Sequence, residues 1–179
     1  MSTQTQLVYP VDSARATAAT LGFWVCLLTA ALTMISFSIA ILTPPRSGPF
    51  CTGSCVLYPY TDTASFFPRD FWWMFPALSI TPLFLILCAC THSWVPGPKT
   101  LFSRIAMLFA AIAASLITLD YVLQIEVLQP SLLRAETDGM AFISQYNPHG
   151  LFIAMENLGY LMMAVSMCFL GLALPHNSR

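Results

Sequence analysis

Charged residues are scarce in this chain: 8% of its 179 residues are Asp, Glu, Lys or Arg, while 57% are apolar. Soluble domains carry roughly 25% and 45–50% respectively, so a soluble globule is excluded. Positive charge is equally short, with seven Lys and Arg against eight Asp and Glu. No basic field exists to hold a polyanion, and nucleic acid drops out as a partner. Also missing are a Gly-x-x-x-x-Gly-Lys phosphate loop, a Gly-x-Ser-x-Gly elbow and a Rossmann glycine pattern, so nucleotide chemistry has no support. His-Glu-x-x-His is absent too; no metal is expected, and nothing in the sequence names a cofactor.

What the chain does have is long apolar sequence. A helix needs about 20 mainly apolar residues to cross a bilayer, so four spans leave no room for a second domain. The expected fold is all-α, an integral membrane four-helix bundle with two longer exoplasmic loops. A polar tail over 1–17 precedes a single domain over 18–175, with spans near 18–42, 70–91, 101–128 and 150–174, and a tail over 176–179 follows. The run Ala18 to Leu42 has no charge and exceeds the roughly 7 to 15 residues of a signal-peptide core. Pro44, Pro45 and Pro49 stop that helix. Span two carries Pro76 and Pro82; a kink is expected there, with Ser79 and Thr81 near enough to partner the freed carbonyls. His92 to Thr100, with Pro96-Gly97-Pro98, is a tight connection. Between spans three and four lie a short helix-capable piece, Ser131 to Thr137, and a turn at Asp138-Gly139. Asn147 with Pro148 is a helix-start signal for span four.

Four spans put both ends on one side, with Arg15, Lys99, Arg104 and Arg179 facing Arg46, Arg69 and Arg134 across the bilayer. The Lys and Arg count favours cytoplasmic termini in a plasma membrane. Cys26, Cys88, Cys90 and Cys168 fall within spans and read as small packing groups. Cys51 and Cys55 sit in the first long loop as Cys-Thr-Gly-Ser-Cys. An exoplasmic loop implies a disulfide there, and Gly53 permits the sharp turn. A ring so small contributes only about 2 kcal/mol, enough to stiffen a loop.

Two stretches, Phe67-Pro68-Arg69-Asp70-Phe71-Trp72-Trp73-Met74-Phe75-Pro76-Ala77 and Gln145-Tyr146-Asn147-Pro148-His149-Gly150-Leu151-Phe152-Ile153-Ala154, resemble a group of small prokaryotic four-span integral membrane proteins. The resemblance covers most of the chain from the first loop onward. It implies the architecture and no catalytic residues, since the group has no assigned activity. Quinone-linked four-span thiol oxidoreductases are similar in size and in having a loop cysteine pair. Their signature is Cys-x-x-Cys, whereas the spacing here is Cys-x-x-x-Cys and the second long loop has no relay cysteine.

Asp120 and Glu156 are the charges that demand explanation, because a carboxylate near the centre of a span costs roughly 2.5 to 3.5 kcal/mol on insertion scales. At about 1.5 Å per residue, Glu156 lies roughly 9 Å below Gly150 and Asp120 roughly 14 Å below Gln129. Spans three and four are expected to be antiparallel neighbours, which brings both carboxyls into the exoplasmic third. Gln124 follows Asp120 at i+4, while His149, Ile153, Glu156 and Tyr160 form one stripe of span four. Asn157 is a further polar neighbour. Two carboxyls in a poorly hydrated site cannot both ionise cheaply, so the pair suits a shared proton, a cation or acid/base work. The plainer reading is that these groups hydrogen-bond to hold helices together. Glu126, nearer the interface, is expected to snorkel or to pair with Arg134 or Arg69.

Nine of the 23 aromatic residues, Phe50 to Phe75, gather around the first loop and the top of span two. They read as an interfacial belt or as a lid over Asp120 and Glu156. Three functions remain open. One is a binding or accessory membrane protein taking a lipid-like molecule, an amphiphilic cation or a partner membrane helix at Asp120, Glu156, Gln124, Tyr160, His149 and Asn157. Another is an intramembrane enzyme with Asp120 and Glu156 as acid/base pair on a hydrophobic substrate. The third is thiol exchange through Cys51 and Cys55. Small residues on span three (Ala110, Ala111, Ala113, Ala114, Ser115) allow close helix approach within one chain or in a homo-oligomer. A transporter is disfavoured, because the two halves show no internal repeat.

Overall fold

The computed structural model describes residues 11–49 and 51–174. Helix α1 spans Val11–Ala40, α2 Met74–His92, and α3 Thr100–Val122. Beyond α3 the chain stays helical through a π-helical stretch, Leu123–Leu128, into α4, Gln129–Leu133. A short α5, Met140–Ile143, precedes α6, Leu151–Ala173. Short 3-10 turns occupy Thr61–Phe66, Arg69–Phe71 and Gly97–Lys99. Among the described residues no strand occurs. Four helical segments, Ser13–Ala40, Arg69–His92, Gly97–Leu133 and Leu151–Ala173, are long and apolar enough to cross a membrane.

The ends of these segments differ from expectation in ways the local chemistry explains. The chain is already helical at Val11 rather than from Ala18, because Ala14, Ala16, Ala18 and Ala19 are strong helix formers. Thr17 and Thr20 return their hydroxyls to the carbonyls of Ser13 and Ala16. The third segment does not stop at Leu128. Its bonding register widens to the π form just before Pro130, whose missing N–H cannot continue an α ladder. Ser131 to Leu133 are therefore the end of that helix and not part of a separate piece. The turn at Asp138-Gly139 is present, with Gly139 at φ 76°. Helix α6 starts at Leu151 behind Gly150 in extended backbone. Asn147 is not its cap. Its Oδ1 instead accepts from the His149 N–H at 3.0 Å and its Nδ2 donates to the Ala141 carbonyl at 2.9 Å.

Packing runs in a chain, with α1 chiefly on α2, α2 on α3 and α3 on α6. No comparable packing joins α1 to α6. Helices α1 and α6 are the peripheral ones, with 11% and 17% of their apolar stretches buried against 33% for α2 and for the α3 segment. Helices α3 and α6 are antiparallel neighbours, as expected. At Gly159 they approach so closely that a Cβ would lie 2.4 Å from Ile117 Cγ1. Ala106, Ala110 and Ala113 are fully buried, and Ser166 donates to the Ala106 carbonyl at 2.7 Å. So part of the small-residue stripe serves contacts within this chain.

The prolines of α2 are not served as expected. Ser79 is exposed, and the Thr81 hydroxyl meets Thr118 of α3 at 2.9 Å. Ser36 of α1 donates to the Trp73 carbonyl at 2.8 Å, but that carbonyl already accepts from the Ala77 N–H and is not one that Pro76 frees. At the end where α1 stops and α6 begins, hereafter the loop end, Phe71, Trp73, Met74, Ala77, Ile117, Tyr121 and Phe152 form one core cluster. Phe84, Cys88, Ala106, Ala110 and Leu170 form another. Cys88 and Cys90 are buried, whereas Cys26 and Cys168 are exposed. Large apolar side chains such as Phe23, Met34, Leu108 and Met167 stand uncovered on the outside of the bundle. Cys51 and Cys55 form a disulfide, with their Cα atoms 6.1 Å apart.

Candidate functional site: a cavity with one polar end

A cavity of about 450 Å³ lies where α1 and α6 fail to pack on each other. Helix α1 contributes Thr33, Phe37 and Ala40 to its wall, α2 Ile80 with Trp73 just before it, α3 Ile117 and Tyr121, and α6 Glu156, Tyr160 and Met163. The cavity follows from the loop after α1. That helix ends in a turn, with the Thr43 hydroxyl on the Ala40 carbonyl at 2.8 Å. Pro44 and Pro45 cannot extend it, and Arg46 is thereby carried across to α6.

There the Arg46 guanidinium meets Glu156, Nη2 to Oε2, at 3.3 Å, and stands 6.0 Å from the centre of the Phe152 ring. The other carboxylate oxygen accepts from the Tyr121 hydroxyl at 3.4 Å. Tyr121 and Tyr160 hydroxyls are 3.3 Å apart. The Arg46 side chain is 47% exposed and that of Glu156 12%, so the cation is the more accessible partner. Deeper along α6 the lining is mainly apolar, with Met163, Phe37 and Ile80 beside the hydroxyl-bearing Thr33, Ser36 and Thr81.

A second cluster ties the two long loops into a roof. Asp70 is fully buried and takes hydrogen bonds from Arg69 Nε at 2.8 Å and from the Tyr146 hydroxyl at 2.5 Å. Burial pushes the Tyr146 phenol far above its usual range, and its bond to the Asp70 carboxylate adds to the rise. Gln145 Nε2 donates to the Asp70 carbonyl at 3.4 Å. Gln145 and Tyr146 also line the cavity, so this cluster fixes part of its wall.

The sequence-derived site residues separate. Glu156 and Tyr160 are on the wall. Asp120 is not; it is 1% exposed on α3, its Oδ2 is buried without a hydrogen-bond partner among the described residues, and it lies within electrostatic range of Glu156 and Arg46. Gln124 is turned away from both carboxyls: its Nε2 donates to the Ile143 carbonyl at 2.5 Å and its Oε1 accepts from the Gln145 N–H at 3.0 Å. His149 is exposed and precedes α6, so the helical stripe does not reach it. Asn157 is exposed on the outer surface, as expected of a position about 100° round the helix from Glu156. Glu126 is exposed, and Arg69 pairs with Asp70 instead.

The residues that sequence reasoning missed are Arg46 and Tyr121. A lone cation directly after a Pro-Pro stop was the available signal for the first. The aromatic group divides: Trp73 lines the cavity and Phe71 is in the core, whereas Tyr58, Trp72 and Phe75 are exposed. Phe50 lies outside the described residues. Among the described residues no group of three or more His, Cys, Asp and Glu is placed to hold a metal ion. No family model, curated protein or solved structure matches the chain.

Proposed function

We propose that this chain is a multi-pass plasma-membrane protein, related to the small four-span proteins its loop motifs resemble, that binds an amphiphilic molecule between α1 and α6. The Cys51–Cys55 loop lies outside and both termini lie in the cytoplasm. Four long apolar helices, an uncovered apolar outer surface and a loop disulfide support that setting. The observation that carries the binding role is the cavity itself. One end holds an ion pair and two phenols, the remainder is mainly apolar with the Thr33, Ser36 and Thr81 hydroxyls tied to protein partners, and its 450 Å³ falls within the roughly 300–1,000 Å³ of small-molecule sites. A chain enters from the side of the bundle, where α1 and α6 leave a gap, and its head group stays at the loop end.

The acid/base alternative is weaker on this geometry. It needs Asp120 and Glu156 on one substrate, whereas Glu156 is engaged by Arg46 and Asp120 is off the cavity wall. The test is mass spectrometry of the protein purified in a non-ionic detergent, compared with Thr33→Phe, which fills the cavity from the loosely held helix. Wild type retains about one amphiphile per chain and the variant loses it while remaining folded. Equal, non-stoichiometric lipid in both overturns the proposal, as does a co-purifying protein that leaves the cavity empty of lipid.

A further inference from the structure

Resting on that binding role, we infer that the ligand is a zwitterionic amphiphile whose cationic group lies nearer its chain than its anionic group. The polar end offers one guanidinium and one carboxylate, joined by a single contact of 3.3 Å, and both line the cavity. A ligand of one charge sign can pair with only one of them. An anionic ligand leaves the Glu156 carboxylate, only 12% exposed, as an unpaired charge in a poorly hydrated place, which is strongly unfavourable, and a cationic one leaves the more exposed Arg46 without its partner. A zwitterion replaces the pair on both sides. Its anion takes the donor fork of Arg46, and its cation takes the Glu156 carboxylate beside the Tyr121 and Tyr160 hydroxyls.

The order of the charges follows from where the two residues are anchored. Glu156 is fixed on α6, five positions beyond its first residue Leu151 and thus roughly 7 Å along the helix. Met163 and the apolar lining are deeper still on the same helix. Arg46 hangs from the loop beyond Ala40, and once separated from Glu156 its long side chain withdraws toward its own backbone at the loop end. Reading outward from the apolar region, the site therefore presents carboxylate and then guanidinium. The complementary ligand reads chain, cation, anion. Phosphocholine-type head groups have the reverse order.

Four amphiphiles with the same dodecyl chain separate the cases: a sulfobetaine (chain, cation, anion), a phosphocholine (chain, anion, cation), a sulfate and a trimethylammonium. Binding is read from the emission of Trp73 on the cavity wall, with the exposed Trp24, Trp72 and Trp94 replaced by Phe and the protein held in a maltoside detergent. The sulfobetaine is expected to bind about tenfold more tightly than each of the other three. Arg46→Gln or Glu156→Gln removes that preference. The reversed pair, Arg46→Glu with Glu156→Arg, transfers it to the phosphocholine. Equal binding of all four that Thr33→Phe abolishes overturns this inference and leaves the cavity's binding role standing. So does tighter binding of the phosphocholine, the sulfate or the trimethylammonium by the wild-type protein. If no probe shifts Trp73 emission and Thr33→Phe changes nothing, the binding role itself fails.

Discussion

Replacing Gly159 by alanine tests whether the α3–α6 contact sets the geometry of the cavity. The added Cβ would sit 2.4 Å from Ile117 Cγ1 and 3.0 Å from its Cδ1. The first of these is about an ångström short of ordinary contact, and both partners are held in helices. Overpacking of this kind costs about 1–3 kcal/mol, because the core yields only by shifting backbone or forcing side chains off their rotamers. Gly159 lies one turn below Glu156, and Ile117 one turn below Tyr121. Pushing the helices apart there lengthens the 3.4 Å bond between Tyr121 and Glu156, so head-group preference should fall along with stability. The assay is unfolding by dodecyl sulfate titrated into maltoside micelles, run as a double-mutant cycle with Ile117→Ala. Alone, Ile117→Ala leaves a cavity and costs about 2–5 kcal/mol. With Gly159→Ala present, the new methyl occupies part of that space, so the combined loss should be smaller than the sum by about 1 kcal/mol or more. A Gly159→Ala protein as stable as wild type, or a strictly additive cycle, refutes the claim that this contact is close-packed.

Tyr146→Phe deprives the fully buried Asp70 of a hydrogen bond and should cost about 1–3 kcal/mol in the same titration; an unchanged midpoint would show that the roof cluster contributes nothing. Replacing Cys51 and Cys55 together by Ser should lower stability by about 2 kcal/mol or less and leave amphiphile binding intact. Loss of binding with normal folding would count against a merely structural bridge. A membrane-impermeant thiol reagent applied to intact cells after reduction should label these two positions, and labelling only after lysis would reverse the proposed orientation. Asp120→Asn should leave the protein folded and alter head-group preference less than Glu156→Gln does, since Asp120 does not line the cavity. An equal or larger effect from Asp120→Asn would place that residue on the ligand.

How much of this was legible in the sequence depended on the range of the interaction. Scarce charge and runs such as Ala18 to Leu42 were enough for four apolar helices, because helix formation and apolarity are local properties that sum along the chain. The Cys51–Cys55 pairing was equally local, since four residues and Gly53 confine the two sulfurs to one turn. Glu156 stood out for the same reason, as a charge within an otherwise apolar span. Its actual partner was not legible. Arg46 lies 110 positions away, and only the packing order of the helices, with α1 on α2 and a gap beside α6, brings that loop across. Gln124 and Asp120 share an i,i+4 relation, yet the loop around Ile143 and Gln145 took the Gln124 side chain with two hydrogen bonds and left the carboxyl unmet. Periodicity says which face of a helix a residue occupies. Which neighbour covers that face, and whether it leaves a space, is decided when the helices pack.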